Sequence, residues 1–590
     1  MDNIRFALLC AAGVLCFFIY QAWQTDYAPT DAPQVERSAD TPASDYRDDD
    51  VPALSSAPES GEAQGDRGDA PDAPPSPGTE QSGDLAAAPS ASNQPVVSQG
   101  KRIHVSTDKL DVVIDTRGGD LRRVELRGVP VSSEKPDTNL RLINDTAPNF
   151  FIAQSGLVGD STQAPDHRSR FQSERDSYEL GPDQEQLEVP LTWTNDSGHE
   201  VTKVYTFTRD SYRIGLRQEV SNQGSSPWTL SQYVRFWRSP YEITGDVPFA
   251  QAFFGVGWYQ ARTDDDGYRY ETEDHEDLAE NPLELTQTGG WAAMIQHYFI
   301  GAVIPPADAK ARFFARPKSV PGADDGFATG FIGAKQRVAA GASASFESTL
   351  FVGPKLQDQL DAVAPGLGLT VDYGWLTVLA KPIFWVLEHL HALVGNWGVA
   401  IILLTFLIKL CFYKLSETQY RAMARMRKFA PRMQQLKEQY GDDKQKLQSK
   451  MMELYKKEGF NPLAGCWPML VQMPVFISLY WVLRESVELR HAPFMLWLQD
   501  LSAPDPYYIL PVIFGVTMFL QQKLTANVTM DPMQQRMMQI MPVGLAVFFA
   551  FFPAGLVLYW CTNNLLSIAQ QWYIYRKLDA EGLGHKAASS

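Results

Sequence analysis

The chain has little cysteine, and none in the region where a secreted domain would need it. All five thiols fall in apolar stretches, and none lies between residues 101 and 355. A disulfide framework is therefore excluded for that region, and no CxxC or Cys/His spacing suggests a metal site. We expect the cysteines to pack as small apolar residues. They are Cys10, Cys16, Cys411, Cys466 and Cys561.

Acidic and histidine side chains are missing from the apolar cores of the helices that we predict after residue 390. An intramembrane aspartyl or zinc protease needs carboxylates or metal ligands, and a proton-coupled pump needs a relay of titratable groups. The sequence also has no glycine-rich phosphate loop. We therefore predict no enzyme, no cofactor and no nucleotide hydrolysis.

The acidic balance of the chain comes mostly from one segment. Residues 24–100 contain 15 Asp and Glu against three Lys and Arg, which is −12 of the net charge of −17. The same segment is rich in Pro, Ala, Ser and Gly and has hardly any large aliphatic residues. Because such a chain cannot bury enough surface to offset its entropy, we predict a disordered linker there.

Residues 101–355 alternate between apolar and polar positions. KLDVVIDTRGGDLRRVELRG does so around a Gly-Gly turn, and EVTKVYTFTRDSYRIGLRQEVSNQG repeats the pattern. Helical periodicity is scarce, so the pattern predicts a large antiparallel β-sandwich. A sugar-modifying enzyme is an alternative for this region, but its histidines form no recognisable acid–base group.

A lysine lies inside one of the most apolar runs of the chain. Residues 394–414 read VGNWGVAIILLTFLIKLCFYK, with Lys409 about five residues from the basic end. Charged residues in spanning helices are rare and cost roughly 2.5–3.5 kcal/mol near the centre. Two interpretations stay open: a side chain that snorkels to the headgroups, and a functional cation.

Neutral polar residues recur at helical spacing near this lysine. Thr405 precedes Lys409 by one turn, and Asn563 and Ser567 are four residues apart in the last apolar helix. Gln472 lies in a third apolar helix. Interhelical hydrogen bonding explains most residues of this kind. The functional interpretation is a hydrated groove, open to the cytoplasm, with Lys409 as its only charge.

A basic segment follows the Lys409 helix. From residue 414 to residue 458 there are 12 Lys and Arg against six Asp and Glu. Two apolar stripes separated by Gly441 and Asp442 predict a helical hairpin at 416–459. The positive-inside rule places this hairpin in the cytoplasm. Its first arm carries the basic residues that we select for capture of a partner: Arg421, Arg425, Arg427 and Lys428.

The whole pattern predicts an α-helical polytopic membrane protein with six spans and a large periplasmic β-sandwich. Both termini are then cytoplasmic. A cleaved signal peptide is the alternative for the first segment, but large residues stand where a cleavage site needs small ones. The predicted order is an N-terminal anchor helix (1–23), a linker (24–100), the sandwich (101–355), an interfacial amphipathic helix (370–392), a span with Lys409 (393–415), the hairpin (416–459), a span (460–484), a periplasmic loop (485–506), a span (507–522), a cytoplasmic loop (523–536), spans at 537–552 and 553–575, and a cytoplasmic tail (576–590).

The residues alone leave three other functions to consider. A transporter or channel with Lys409 as an anion site should show internal repeats or paired broken helices, and none is found. A periplasmic sugar-binding protein with a membrane anchor leaves five spans unexplained. Direct RNA binding by the basic hairpin is also open, although a solvated surface that touches ribosomes transiently is the simpler interpretation.

Several long motifs resemble one known family. They include NWGVAIILLTFLIKLCFYKLSETQYRAMARM, GDDKQKLQSKMMELYKKEGFNPLAGCWPMLVQMPVFISLY, DPYYILPVIFGVTMFLQQK and DPMQQRMMQIMPVGLAVFFAFFPAGLVLYW. In these motifs the chain is similar to the YidC/oxidase-assembly/albino family of membrane protein insertases, in its Gram-negative form. The likeness is strong over residues 370–578, and looser over the sandwich, where it rests on GGW at 289–291 and on the size and position of the region.

The resemblance implies an insertase of the bacterial inner membrane that admits nascent membrane proteins, alone or with the Sec translocon. It also implies a five-helix core, a groove open to cytoplasm and lipid, and a mutarotase-like sandwich without a known reaction. The hairpin is implied to contact ribosomes and targeting factors, with no specific nucleic acid as partner. The family's groove usually carries arginine, so Lys409 keeps the charge but loses the bidentate fork. We expect a client's apolar segment to pass along an apolar slide to the lipid bilayer: Met469, Met473, Phe476, Phe548 and Phe552.

Overall fold

The computed structural model describes most of the chain after residue 95. The described residues are 96–97, 99–159, 164–240, 253–261, 268–321, 325–441, 443–457, 467–525 and 532–580. The predicted anchor at 1–23 and nearly all of the linker at 24–100 lie outside them. The described chain divides into two compact units. We call residues within 50–384 and 478–502 the strand unit, and residues within 385–477 and 503–590 the helix unit.

The strand unit contains 19 strands among its described residues. Their bounds are β1 Arg102–Ser106, β2 Leu110–Asp115, β3 Asp120–Ser132, β4 Lys135–Ile143, β5 Phe151–Gly159, β6 Ser177–Glu179, β7 Gln186–Thr194, β8 His199–Thr208, β9 Arg213–Asn222, β10 Trp228–Arg238, β11 Gly255–Ala261, β12 Tyr268–Glu273, β13 Leu283–Thr288, β14 Trp291–Ile295, β15 Phe299–Ile304, β16 Lys310–Pro317, β17 Phe327–Gly333, β18 Gln336–Val338 and β19 Ser343–Pro354.

These strands form two sheets. The larger has 11 strands in the order β13-β16-β17-β10-β5-β3-β2-β1-β6, with β4 beside β3 and β18 beside β10. The smaller has eight in the order β12-β11-β14-β15-β19-β9-β8-β7. Neighbours such as β8 and β9 are antiparallel, and the pair of β1 with β6 is parallel. The prediction of a domain rich in antiparallel sheet is confirmed.

Burial along the strands shows which faces are covered. In β9, exposed or half-buried residues alternate with buried ones, which is the pattern of a sheet with one solvated face. In contrast, β5 is buried at eight consecutive positions and β10 is buried almost throughout. Both faces are therefore covered at the centre of the larger sheet. Aromatic residues fill one of them, with Phe150 and Trp237 edge to face at 5.0 Å.

The space between the sheets holds a fully buried lysine. The Nζ atom of Lys203, on β8, donates to Gly118 O at 2.5 Å, Ser155 O at 2.7 Å and Ser155 Oγ at 2.9 Å. It also lies 4.8 Å from the ring centre of Phe171. A buried ammonium group is tolerated only when its donors are matched, and here all three are. Burial lowers the pKa of Lys203 to about 8, against the charge of Asp120.

Short helical segments and a returning loop complete the described part of the strand unit. Helix α1 is His275–Glu280 and α2 is Gln357–Val363, followed by 3-10 turns at Leu367–Thr370 and Gly374–Leu376. Residues 478–502 also belong to this unit. Within them the Arg490 guanidinium donates to Pro130 O and Val131 O, both at 2.9 Å, and His297 Nε2 lies 3.6 Å from Glu485 Oε1.

Eight longer helices follow α2 among the described residues. They are α3 Thr377–Val394, α4 Trp397–Cys411, α5 Tyr413–Tyr440, α6 Lys444–Lys457, α7 Trp467–Glu485, α8 Ile509–Thr525, α9 Pro532–Phe549 and α10 Ala554–Ala580. Helix α4 begins at a true cap, because Asn396 Oδ1 accepts from the Val399 N–H at 3.0 Å. Helices α5 and α6 contact each other across the turn at 441–443.

Within the described residues, which exclude the predicted anchor at 1–23, length and hydropathy identify one candidate span, or two if a bent pair of helices is counted as one span. Gly374–Val394 is long and apolar enough to cross a membrane, with only 17% of its apolar window buried. Trp397–Cys411 and Tyr413–Arg421 qualify together, although they meet at 62°. Ile509–Leu524 and Gln539–Phe549 are apolar but shorter. Six spans and the domain boundaries stay predictions.

Candidate functional site

Lys409 lies in the last turn of α4 and reaches the last helix of the unit. Its Nζ atom donates to Ser567 Oγ, on α10, at 2.8 Å. The same hydroxyl donates to Asn563 O at 2.6 Å, so both its donor and one of its acceptor sites are used. Helices α4 and α10 are in direct contact, which is what lets a side chain from one meet a hydroxyl on the other.

The ammonium group of Lys409 is only partly satisfied by the protein. It is half-buried, and among the described residues its one hydrogen-bond partner is Ser567, a neutral group. Lysine has three donors, and the described part of the helix unit supplies no carboxylate within ion-pair distance. The site therefore holds a cation with donors to spare.

The other residues predicted for the groove take different positions. Thr405 is 1% exposed, and its hydroxyl donates to Ile401 O of its own helix at 2.7 Å, so it offers nothing to a partner. Gln472 and Asn563 are half-buried, and the structure gives neither side chain a hydrogen bond within the described ranges. Among the described residues of the predicted set, Lys409 and Ser567 are joined through their side chains, and Ser567 also bonds the main-chain carbonyl of Asn563.

Two further polar residues, outside the set selected for the groove, hold α10 against α8. Asn564 is 5% exposed, and its Nδ2 lies 3.5 Å from Thr517 Oγ1, which donates to Phe514 O at 2.9 Å. Gln571 is buried, with Nε2 3.5 Å from Leu524 O. These contacts are long, but they are the interhelical type expected between apolar helices. The spacing rule selected Asn563 for the groove, and the adjacent Asn564 is the residue that contacts α8.

The residues of the predicted apolar slide lie near an aromatic cluster. Phe548 and Phe552 are 4.7 Å apart between ring centres, and Phe476 is 4.7 Å from Trp560. Phe549 joins these groups, since its ring is 5.4 Å from Phe552 and 5.5 Å from Trp560.

Exposure separates the slide residues. Met473 and Phe548 are each 43% exposed, whereas Phe552 is only 9% exposed and packs inside the cluster. Met473 and Phe548 therefore present apolar surface, and Phe552 does not. The side chain of Met469 lies outside the described residues.

The start of the hairpin is held to α10 by tyrosines. Tyr420 OH is 3.5 Å from Ser567 O, and its ring meets Tyr575 edge to face at 6.2 Å. Tyr420 also packs with Ile574 and Leu578. The turn that carries Tyr420 is thus adjacent to the serine that binds Lys409.

Of the four basic residues selected for capture, only one has a described side chain. Arg421 makes an i,i+4 pair with Glu417, with Nη2–Oε1 at 2.9 Å and Nε–Oε1 at 3.1 Å. The hydrogen bond and charge of Arg421 lower the pKa of Glu417. The side chains of Arg425, Arg427 and Lys428 lie outside the described residues. No group of three or more His, Cys, Asp or Glu that could hold a metal occurs in the part of the chain that the structure describes.

The structure combines a β-rich domain with apolar helices that surround a half-buried cation. These features define a class, namely membrane proteins with a large extramembrane sandwich. Family models match both parts: the 60Kd inner membrane protein model covers residues 389–581, and the YidC periplasmic domain model covers 102–386.

Curated relatives agree with these matches. The chain is 51% identical over 84% of its length to a membrane protein insertase YidC from Alkalilimnicola ehrlichii, covering 86% of that protein. It is 44% identical over 99% of its length to the same protein from Nitrosococcus oceani, covering 100% of it. A crystal structure of an active YidC insertase aligns with 81% of this chain and 93% of that one, at 18% identity and a TM-score of 0.36. The chain belongs to the YidC family of membrane protein insertases.

Proposed function

We propose that this protein inserts nascent inner-membrane proteins into the bilayer from the cytoplasm. The client enters a positively charged, hydrophilic groove around Lys409, and its apolar segment is released to lipid. The protein acts alone or beside the Sec translocon, with no nucleotide hydrolysis. Its six spans place the sandwich in the periplasm and both termini in the cytoplasm. The observation that carries the proposal is the half-buried ammonium of Lys409, whose single partner among the described residues is neutral.

The first step is attraction of a polar or acidic client segment to Lys409. A charge near apolar walls interacts more strongly than one in bulk water, since the effective dielectric constant is lower. Two donors of the ammonium are available for a client carboxylate or carbonyl, and Ser567 holds the third. Gln472 and Asn563 add half-buried amides without side-chain partners in the described ranges, which suits transient contact with a polar segment.

The second step is transfer of the client's apolar segment. Met473 and Phe548 expose apolar surface on the helix unit, with the aromatic cluster behind Phe548. Burial of the segment in lipid supplies the driving force at roughly 25 cal/mol per Å². The membrane potential adds about 2.3 kcal/mol per negative charge per 100 mV for an acidic tail that moves outward.

The basic hairpin would meet ribosomes and targeting factors in the cytoplasm. Its first helix carries Arg421, Arg425, Arg427 and Lys428, and Tyr420 holds the base of that helix against α10. A client that arrives on the hairpin is therefore delivered next to Ser567 and Lys409. Contacts with ribosomal RNA on this route need only surface charge and no sequence recognition.

The test exchanges the charge at position 409 in cells depleted of their own insertase. Lys409→Arg should support growth, because it keeps the cation, and Lys409→Glu should not. The matched control is Lys414→Glu, an exposed lysine just beyond α4, which should support growth. Full complementation by Lys409→Glu would show that the cation has no role. Photocrosslinking to a stalled client from position 409 and from position 548 then tests the route itself.

A further inference from the structure

A closed loop in the strand unit presents an apolar tip to its surroundings. The loop comprises residues 491–501, between α7 and α8 in the chain. It is tied at its base, since Leu501 N donates to Ala492 O at 3.1 Å and His491 N donates to Asp500 Oδ1 at 3.1 Å. Nearer the tip, Phe494 N donates to Leu498 O at 2.9 Å. These hydrogen bonds close the 491–501 loop on itself and give it a defined tip.

The tip consists of Met495 and Leu496, and both are exposed although they are apolar. Met495 is 51% exposed and Leu496 is 75% exposed. Their neighbours Leu498 and Leu501 are 2% and 1% exposed, so the base of the loop is packed while its end is not. Residues 492–499, APFMLWLQ, contain no charged side chain.

The backbone at the tip is held in an unfavourable conformation. Leu496 has φ of 54°, in the left-handed region that leucine rarely adopts. The conformation is imposed from both sides, because Leu498 N donates to Met495 O at 3.0 Å and the side chain of Gln499 donates to Leu496 O at 2.7 Å. A bulky residue that is both strained and exposed has no folding reason to be there, which points to a function for its side chain.

The base of the loop is anchored firmly to the sandwich. Arg490 donates to Pro130 O and Val131 O and lies 5.3 Å from the ring centre of Phe299. Leu489 is 1% exposed. The tip is therefore a fixed projection of the strand unit, and its surface is available without unfolding.

We propose that Met495 and Leu496 insert into the outer leaflet of the bilayer as an interfacial anchor. The inference rests on the proposed placement of α7 and α8 as spans, which forces the short connection between them to stay near the membrane surface. The composition suits that surface, since Met, Leu, Phe and Trp stand together without charge, and the exposed pair Tyr507 and Tyr508 follows before α8. The ionisable groups Arg490, His491 and Asp500 all lie at the base of the loop and not at its tip.

The experiment uses the full chain, with its five native cysteines replaced, in proteoliposomes. A single Met495→Cys substitution carries an environment-sensitive fluorophore, and the lipids carry spin labels at the headgroup, at carbon 5 or at carbon 12. We expect strong quenching by the carbon-5 lipid and protection from aqueous iodide. The control label sits at Ser225→Cys, in an exposed turn of the sandwich, and should be quenched by iodide alone.

A second variant separates the contribution of the Leu496 side chain from that of its backbone conformation. Leu496→Asn keeps a residue that tolerates the left-handed conformation but removes the apolar group, and should weaken quenching at position 495 several-fold. Leu496→Met should retain it. Equal iodide access at 495 and 225 would overturn the proposal, as would a crosslink from 495 to a translocon subunit, a client or a second copy in place of lipid contact.

Client insertion by the same proteoliposomes is measured in parallel. Loss of quenching with insertion intact refutes the anchor alone. Retained quenching in a chain that inserts no client refutes the proposed function and leaves the anchor standing.

Discussion

Two lysines, one in each unit, are handled in opposite ways. Lys203 is fully buried and gives its three donors to two oxygens of Ser155, on β5, and to Gly118 O in the turn between β2 and β3. Lys409 is half-buried and gives one donor to a serine. The first arrangement leaves nothing for a ligand, while the second leaves donors that only water or a partner can use. The number of matched donors, rather than the presence of a buried charge, separates a structural lysine from a candidate functional one.

The largest expected effect comes from removing each lysine in turn. Lys203→Met leaves three oxygens between the sheets without a donor and should destabilise the strand unit by about 3 kcal/mol. Lys409→Met should change stability by less than about 1 kcal/mol, because Ser567, its one partner among the described residues, keeps its own bond to Asn563 O. The same variant should abolish insertion. Hydrogen exchange of β5 and β8 amides in the full chain, with an insertion assay, measures both.

The exposed Lys310→Met serves as control for the loss of a lysine from the strand unit and should be nearly neutral. If Lys409→Met unfolded the helix unit while Lys203→Met did not affect exchange, the comparison between the two lysines would be reversed.

The buried carboxyl group of Asp120, which lies near Lys203, makes the stability of the strand unit depend on pH. Burial raises the pKa of Asp120 to about 6, against the charges of Arg122 and Lys203 and the hydrogen bond from Gln154. A raised acid pKa means that the folded state holds the proton more tightly. The associated stability is complete below the unfolded pKa and is lost as pH rises through about 6. A shift of this size corresponds to about 3 kcal/mol at most.

The measurement is the pH dependence of exchange in β3 and β5 between pH 4 and 7. Asp120→Asn cannot ionise, so its profile should be flat in that window. An unchanged slope in Asp120→Asn would assign the pH dependence to another group.

A smaller effect is expected at the base of the 491–501 loop. Arg490→Leu removes two hydrogen bonds to the carbonyl groups of Pro130 and Val131 and should loosen the loop by about 1–2 kcal/mol. Exchange of amides 489–501 should rise while amides of β8 stay protected. Arg490→Lys should be intermediate, since a lysine reaches one carbonyl more easily than two. A uniform rise across the unit would show that Arg490 supports the whole fold.

The smallest effect distinguishes the two adjacent asparagines of α10. Asn564→Ala removes the contact with Thr517 and should lower stability in detergent by roughly 0.6 kcal/mol. Asn563→Ala should cost less, because the Asn563 side chain has no hydrogen-bond partner within the described ranges. For client insertion the order should be reversed, with Asn563 the more sensitive position. Equal losses of stability in Asn563→Ala and Asn564→Ala would show that both side chains contribute to helix packing.

The burial of Lys203 could have been predicted from the alternation of residues along β8. In EVTKVYTF the residues Val201, Tyr205 and Phe207 mark the inward positions, and Lys203 stands among them in register. A charged residue at an inward position of a strand is a direct signal of a buried polar network. Its partners could not be read in the same way, because Gly118 and Ser155 are 85 and 48 residues away in the chain.

The sequence also could not predict that residues 478–502 belong to the strand unit. Hydropathy assigns residues 478–484 to a predicted span and the rest to a loop, yet the whole segment belongs to the strand unit. The reason is tertiary: Arg490 and Glu485 meet groups on β3 and next to β15, more than 180 residues earlier. Neither periodicity nor composition predicts a contact between residues so far apart in the chain.

Local physics was enough to determine the alternating strands, the apolar helices, the lone lysine of α4 and the family. These features depend on neighbours within a turn or a strand, where hydrophobic period and side-chain charge act directly. Only the tertiary structure decided that Thr405 bonds its own helix, that Asn564 rather than Asn563 packs against α8, and that Lys409 has one neutral partner among the described residues. Those outcomes depend on which helix faces meet, and packing between distant segments settles that.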